Sequence, residues 1–122
     1  MERSVFTEKT LQIEVEETTD TVHLRWTGRS NEREPGRFLA PILDRALASA
    51  EASGKLLVLD FRALDYMNSS TFTPLVRLME SARTGLARVR MVYRSGLKWQ
   101  QLSFSAMKVF ETLDRRIELR GE

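Results

Sequence analysis

Four consecutive aliphatic residues, Leu56-Leu57-Val58-Leu59, lie between Lys55 and Asp60 and constrain this chain more than any other feature. A strand with one face in water alternates apolar and polar residues, whereas a run without alternation belongs to a strand covered on both faces in the middle of a sheet. The flanking segments fit around such a strand. Leu11, Ile13 and Val15 alternate with polar neighbours, as do Val22, Leu24 and Trp26, and the turn residues 18–21 between them predict a hairpin. Phe38, Leu39, Ile42, Leu43, Ala46, Leu47 and Ala50 fall at helical spacing and stop at Gly54, with Pro41 in the first turn or bending the helix. Residues 28–36 between hairpin and helix read as a surface loop.

Beyond the central run, residues 60–70 form a strand-to-helix connection. Leu75, Val76, Leu78, Met79 and Ala82 then mark a second helix ending at Gly85. Val89, Met91 and Tyr93 make a strand, residues 97–113 a third helix through Leu102, Ala106, Val109, Phe110 and Leu113, and Ile117 and Leu119 a short closing strand. This order predicts a single α/β domain over residues 1–122: a mixed β-sheet of about five strands, with right-handed crossovers and helices packed against it. Residues 1–9 are expected to be a flexible or loosely attached segment.

The chain has 122 residues, a single histidine and no cysteine, so disulfides, thiolate nucleophiles and Cys- or His-rich metal sites are excluded. His23, on the polar face of a predicted strand, reads as a surface histidine. There is no Gly-x-Ser-x-Gly elbow, no Gly-x-Gly-x-x-Gly and no phosphate loop of the Gly-Lys-Ser/Thr kind. No catalytic residue, metal or cofactor is therefore assigned, and Glu14, Glu16, Glu17 and Asp20 read as solvated charge. Residues 1–82 carry 10 Lys/Arg against 13 Asp/Glu, and residues 83–122 carry 9 against 4. The basic carboxyl-terminal third, from Arg83 to Arg120, is a weak electrostatic footprint for nucleic acid, because acids are interleaved and the total is only +2. With no apolar leader or membrane-length segment, the expectation is a cytoplasmic protein without membrane contact.

Asp65-Tyr66-Met67-Asn68-Ser69-Ser70-Thr71 stands apart, because it sets an Asn and three hydroxyls before a helix. Such residues cap helices. The same position favours an anion, either on a ligand or covalently attached to Ser69, Ser70 or Thr71. Pro74 leaves two starting points for the helix, Asn68 or Thr73.

The strand Leu56 to Phe61, the segment Leu64-Asp65-Tyr66-Met67-Asn68-Ser69-Ser70 and the apolar helix after it resemble the STAS domain of bacterial anti-sigma factor antagonists. In that family an Asp-Ser-Ser-Gly segment carries a serine that a partner kinase phosphorylates and a PP2C-type phosphatase dephosphorylates. A second resemblance is to the SiaC family of STAS-like regulatory phosphoproteins, which bind a diguanylate cyclase when unphosphorylated. It rests on Gly28-Arg29-Ser30, followed by Phe38 and Pro41, and on Asn68-Ser69-Ser70-Thr71. Thr71 departs from the antagonists' glycine, and Glu32-Arg33-Glu34 from the Pro-Glu-Asn of the SiaC type.

These resemblances imply a non-enzymatic, phosphorylation-controlled binding module. Ser69 is the implied phosphoacceptor, with Ser70 as the alternative. Gly28, Arg29, Ser30, Asn68, Thr71, Phe72 and Arg77 are the implied partner-binding residues. The implied partners are a protein kinase and a PP2C-type phosphatase acting on Ser69, and an effector that is either a diguanylate cyclase or an anti-sigma factor. A nucleic-acid-binding domain is the less favoured alternative.

Overall fold

The computed structural model describes residues 2–122. Seven strands among them form one mixed sheet: β1 (Glu2–Glu8), β2 (Leu11–Glu17), β3 (Thr21–Ser30), β4 (Leu56–Asp60), β5 (Leu64–Met67), β6 (Arg88–Tyr93) and β7 (Ile117–Gly121). Three α-helices accompany them, α1 (Gly36–Ser53), α2 (Phe72–Thr84) and α3 (Lys98–Ser105). The strand order is β1-β2-β3-β4-β6-β7, with β5 paired to β3 off that path. The first three strands are antiparallel, and β3, β4, β6 and β7 run parallel. The expected α/β class and mixed sheet are thus the observed ones. None of these helices is long and apolar enough to cross a membrane.

One apolar layer holds helices to sheet. Val22, Leu24 and Trp26 of β3, Leu57 and Leu59 of β4, and Val89, Met91 and Tyr93 of β6 share a buried cluster with Leu39, Leu43, Leu75, Leu78, Met79 and Phe104 from the helices. Trp26, Phe61, Phe104 and Tyr93 form a ladder of rings with successive centroids 4.8, 4.6 and 5.5 Å apart, a separation that favours tilted and offset aromatic contacts. Leu56–Leu59 is central as expected, but helices cover only one of its faces. Val58 is buried on the other face between His23 of β3 and Arg90 of β6, its neighbours in register. Long polar side chains shield an aliphatic residue in such a position.

Other differences from the sequence expectation have local causes. Residues 2–8, expected to be loosely attached, form an edge strand paired along its length with β2. Residues 28–30, read as loop, continue β3, so the loop shrinks to residues 31–35. The 60–70 connection contains β5, which extends the sheet beside the far end of β3. Pro41 lies inside α1, beyond the first turn, on its exposed side. The third helix ends at Ser105, and a 3₁₀ turn covers Ala106–Phe110. There the Ser105 hydroxyl donates to the Gln101 carbonyl at 2.5 Å, a back-bond that weakens and bends helices. Leu113, expected on the helix's apolar face, is fully exposed.

Candidate partner-binding site

The site begins at a bulge in β3. Gly28 has φ +86°, and a Cβ placed on it would lie 1.9 Å from the Thr10 carbonyl oxygen, so only glycine fits. The backbone N–H of Arg29 donates to that carbonyl at 3.1 Å, and the Thr10 hydroxyl returns a bond to the Arg29 carbonyl at 3.0 Å. Between Gly28 and Arg29 the register against β5 shifts. A bulge re-aims the side chains after it. Arg29 is exposed and stacks its guanidinium 4.7 Å above the ring of Tyr66 on β5. Ser30 is only 2 % exposed.

Asn68 joins this strand end to the segment before α2. Its backbone N–H donates to the Ser30 carbonyl at 2.9 Å, and its side-chain amide donates to the Glu32 carbonyl at 2.8 Å. Its Oδ1 accepts from both the backbone N–H (3.1 Å) and the hydroxyl (2.8 Å) of Thr71. The Thr71 hydroxyl also meets that of Ser30 at 2.7 Å, in the buried layer. Asn68 therefore caps a 3₁₀ turn, Ser69–Thr71, that runs directly into α2 at Phe72. Of the two starting points that Pro74 left open, neither begins α2, whose first residue is Phe72; Asn68 caps the 3₁₀ turn that precedes it. The tight 3₁₀ turn brings the chain into the helix, and Pro74 sits in the first turn of α2, where an absent N–H is tolerated.

Gly28-Arg29-Ser30 and Asn68-Ser69-Ser70-Thr71, separated by some forty residues, are thus one hydrogen-bonded surface element. Ser69 is exposed, Ser70 is half-buried, and among the described residues neither hydroxyl is hydrogen-bonded. Arg29 and Arg77 are exposed and open to a partner. Ser30 and Thr71, expected to touch a partner, are closed to one: both lie in the interior and hold the two segments together. Gly28 and Asn68 shape the element, and Phe72 packs half-buried against the core. Tyr66 and Arg33 belong to the same surface and were not singled out. No alternation along β5 marks Tyr66, because the ends of that four-residue strand are buried and its centre is exposed. Arg33 enters through a groove of about 420 Å³ between the 31–35 loop, α1 and α2, lined also by Ser70, Thr73, Pro74 and Arg77.

A second polar cluster lies on the helix-free face, where β4 ends. Asp60 is 4 % exposed, with its Oδ2 3.3 Å from Nε2 of His23. Its two oxygens also accept from the Arg62 guanidinium at 2.9 and 2.8 Å, and Arg62 reaches Glu122 at 3.0 Å. Burial alone would raise the Asp60 pKa, but hydrogen bonds from His23 and Arg62 overcome it and hold the carboxyl well below its ordinary range. His23, expected as a surface histidine, is partly exposed and has a carboxylate partner on a neighbouring strand. The cleft beside it is lined by Arg25, Asp60, Arg62, Ala63, Arg94 and Glu122, a set with no nucleophilic hydroxyl. Two of the three acids of β2 are also engaged: Glu14 pairs with Arg3 at 2.7 Å, and Glu17 accepts from Ser49 and Lys55.

No protein-family model matches this chain, and no curated protein matches it in sequence. Its structure is similar to the crystal structure of an anti-sigma factor antagonist from Mycobacterium paratuberculosis, with a TM-score of 0.55 and 19 % identity, over 90 % of this chain and 93 % of that one. The shared feature is the fold: a mixed sheet with helices packed on it, of the STAS-like class.

Proposed function

We propose that this protein is a non-enzymatic partner-switching regulator of the anti-sigma factor antagonist type, and that its switch is the Ser69 hydroxyl. One observation carries the reading: Asn68, Ser30 and Thr71 fasten the two resembling segments into a single element that leaves Ser69 exposed and its hydroxyl uncommitted. The fold likeness to an anti-sigma factor antagonist supports it. A protein kinase would transfer the γ-phosphoryl of ATP to Ser69, and a PP2C-type phosphatase would remove it by hydrolysis. The phosphoryl group adds about −1.5 to −2 charge at an exposed point. Partner groups docked over Arg29, Tyr66, Ser69 and Arg77 then meet that charge, while the buried Ser30–Thr71 link keeps the fold unchanged.

A diguanylate cyclase as effector is the second reading. It is favoured by Asn68 in place of the antagonists' Asp and by the Gly28-Arg29-Ser30 segment preceding Phe38 and Pro41. Affinity capture from lysate of the source cells, with wild type, Ser69→Ala and Ser69→Asp as baits, tests both. An anti-sigma kinase held by wild type and Ser69→Ala but lost on Ser69→Asp is the expected result. A cyclase showing the same pattern selects the second reading, and identical captures on all three baits overturn Ser69 as the switch.

A further inference from the structure

Ser69 and Ser70 are adjacent in sequence but face different surroundings. Ser69 lies outside the lining of the groove between α1 and α2, whereas Ser70 lines it together with Arg33, Arg77 and Thr73. Among the described residues neither Arg33 nor Arg77 has an acidic partner within ion-pair distance. The two acids of the groove are Glu34, paired with Arg37 at 3.4 Å, and Asp44. A hydroxyl free of hydrogen bonds therefore borders a cavity with two uncommitted guanidiniums, one from the 31–35 loop and one from α2. Guanidinium pairs bind phosphoryl oxygens through directed, charge-assisted hydrogen bonds.

We propose that Ser70 is a second phosphorylation site, whose phosphoryl group seats in this groove against Arg33 and Arg77 and latches the 31–35 loop to α2. In the modifying step the Ser70 Oγ attacks the γ-phosphorus of ATP on a serine kinase. The new O–P bond forms as the β–γ bridging bond breaks, ADP leaves, and the hydroxyl proton passes to a base of the kinase. The consequence is opposite to that at Ser69. A phosphate on Ser69 projects its charge at a partner, while one on Ser70 is neutralised within the molecule and orders the loop beside the site. The inference does not depend on Ser69 being an acceptor.

The test uses full-length protein with phosphoserine encoded at position 70 or at position 69, titrated by ³¹P NMR. An exposed phosphoserine has its second ionisation near pH 6. The phosphate at position 70 is expected to titrate about one unit lower than that at position 69, since nearby guanidiniums favour the dianion. Arg33→Ala with Arg77→Ala should abolish the difference, and Asp44→Asn should enlarge it. Equal titration at both positions, or a difference that survives loss of both arginines, overturns the seat in the groove. Peptide mapping of protein recovered from source cells under phosphatase inhibition should show phosphate on Ser70, and its absence there overturns the assignment as a modification site. Neither result depends on the Ser69 captures, so the two readings fail separately.

Discussion

At the residue scale, two buried polar contacts hold what the surface displays. Replacing Thr71 by Val keeps its shape but leaves the Ser30 hydroxyl without its partner and Asn68 Oδ1 with only the backbone N–H of residue 71, at a cost of about 1–3 kcal/mol. Urea unfolding should show that loss, and the Ser30→Ala/Thr71→Val double variant should lose less than the sum of its single changes, as groups in one network do. Asp60 makes a pH prediction. Its folded pKa is depressed below the unfolded value of about 3.9. The stability it supplies is therefore fully present above that value and is lost as pH falls through the lower folded one. Asp60→Asn should cost about 1–3 kcal/mol at pH 7, moderated because Arg62 is half-exposed. The gap between variant and wild type should narrow only below about pH 4 in unfolding curves. A gap independent of pH between 7 and 2 would mean that the Asp60 charge contributes nothing.

At the element scale, the β3 bulge determines where Arg29 and Ser30 go. Gly28→Ala must tolerate a left-handed φ and a Cβ 1.9 Å from a backbone oxygen, which should cost at least about 2 kcal/mol. Gly36→Ala is the matched control, since a Cβ there meets nothing within 4 Å. Thermal melts should separate the two, and hydrogen exchange at the Arg29 N–H should accelerate only in the Gly28 variant. The hairpin and the first two helices were legible in the sequence because burial writes a period of two or 3.6 residues along the chain, and the central strand because its aliphatic run is unbroken. Two strands left no such mark. In β1, Val5 and Phe6 are adjacent rather than alternating, and most of the strand is exposed at the sheet edge. In β5 there are only four residues, Leu64–Met67, with apolar ends and an exposed centre. Asn68 was legible as a cap from its type and position. Its reach to the Glu32 carbonyl, and the meeting of Ser30 with Thr71 across 41 residues, were not, because tertiary pairing of small polar groups follows no local pattern.

At the scale of the whole molecule, the helices cover one face of the sheet, the polar clusters of His23, Asp60 and Arg62 and of Arg90 and Glu118 occupy the other, and the candidate switch sits at the start of α2. The switch element is fastened from beneath by buried hydroxyls, so a charge placed on Ser69 changes what the surface presents without requiring a different fold. The partner recovered by capture allows the most direct measurement of that claim: its dissociation constant for wild type and for protein with phosphoserine encoded at position 69, with thermal melts run on both. The account predicts affinity weaker by about 5–150-fold for the phosphorylated protein, a coupling of roughly 1–3 kcal/mol, with melting temperatures unchanged. Equal affinities, or an affinity loss accompanied by unfolding, would contradict it.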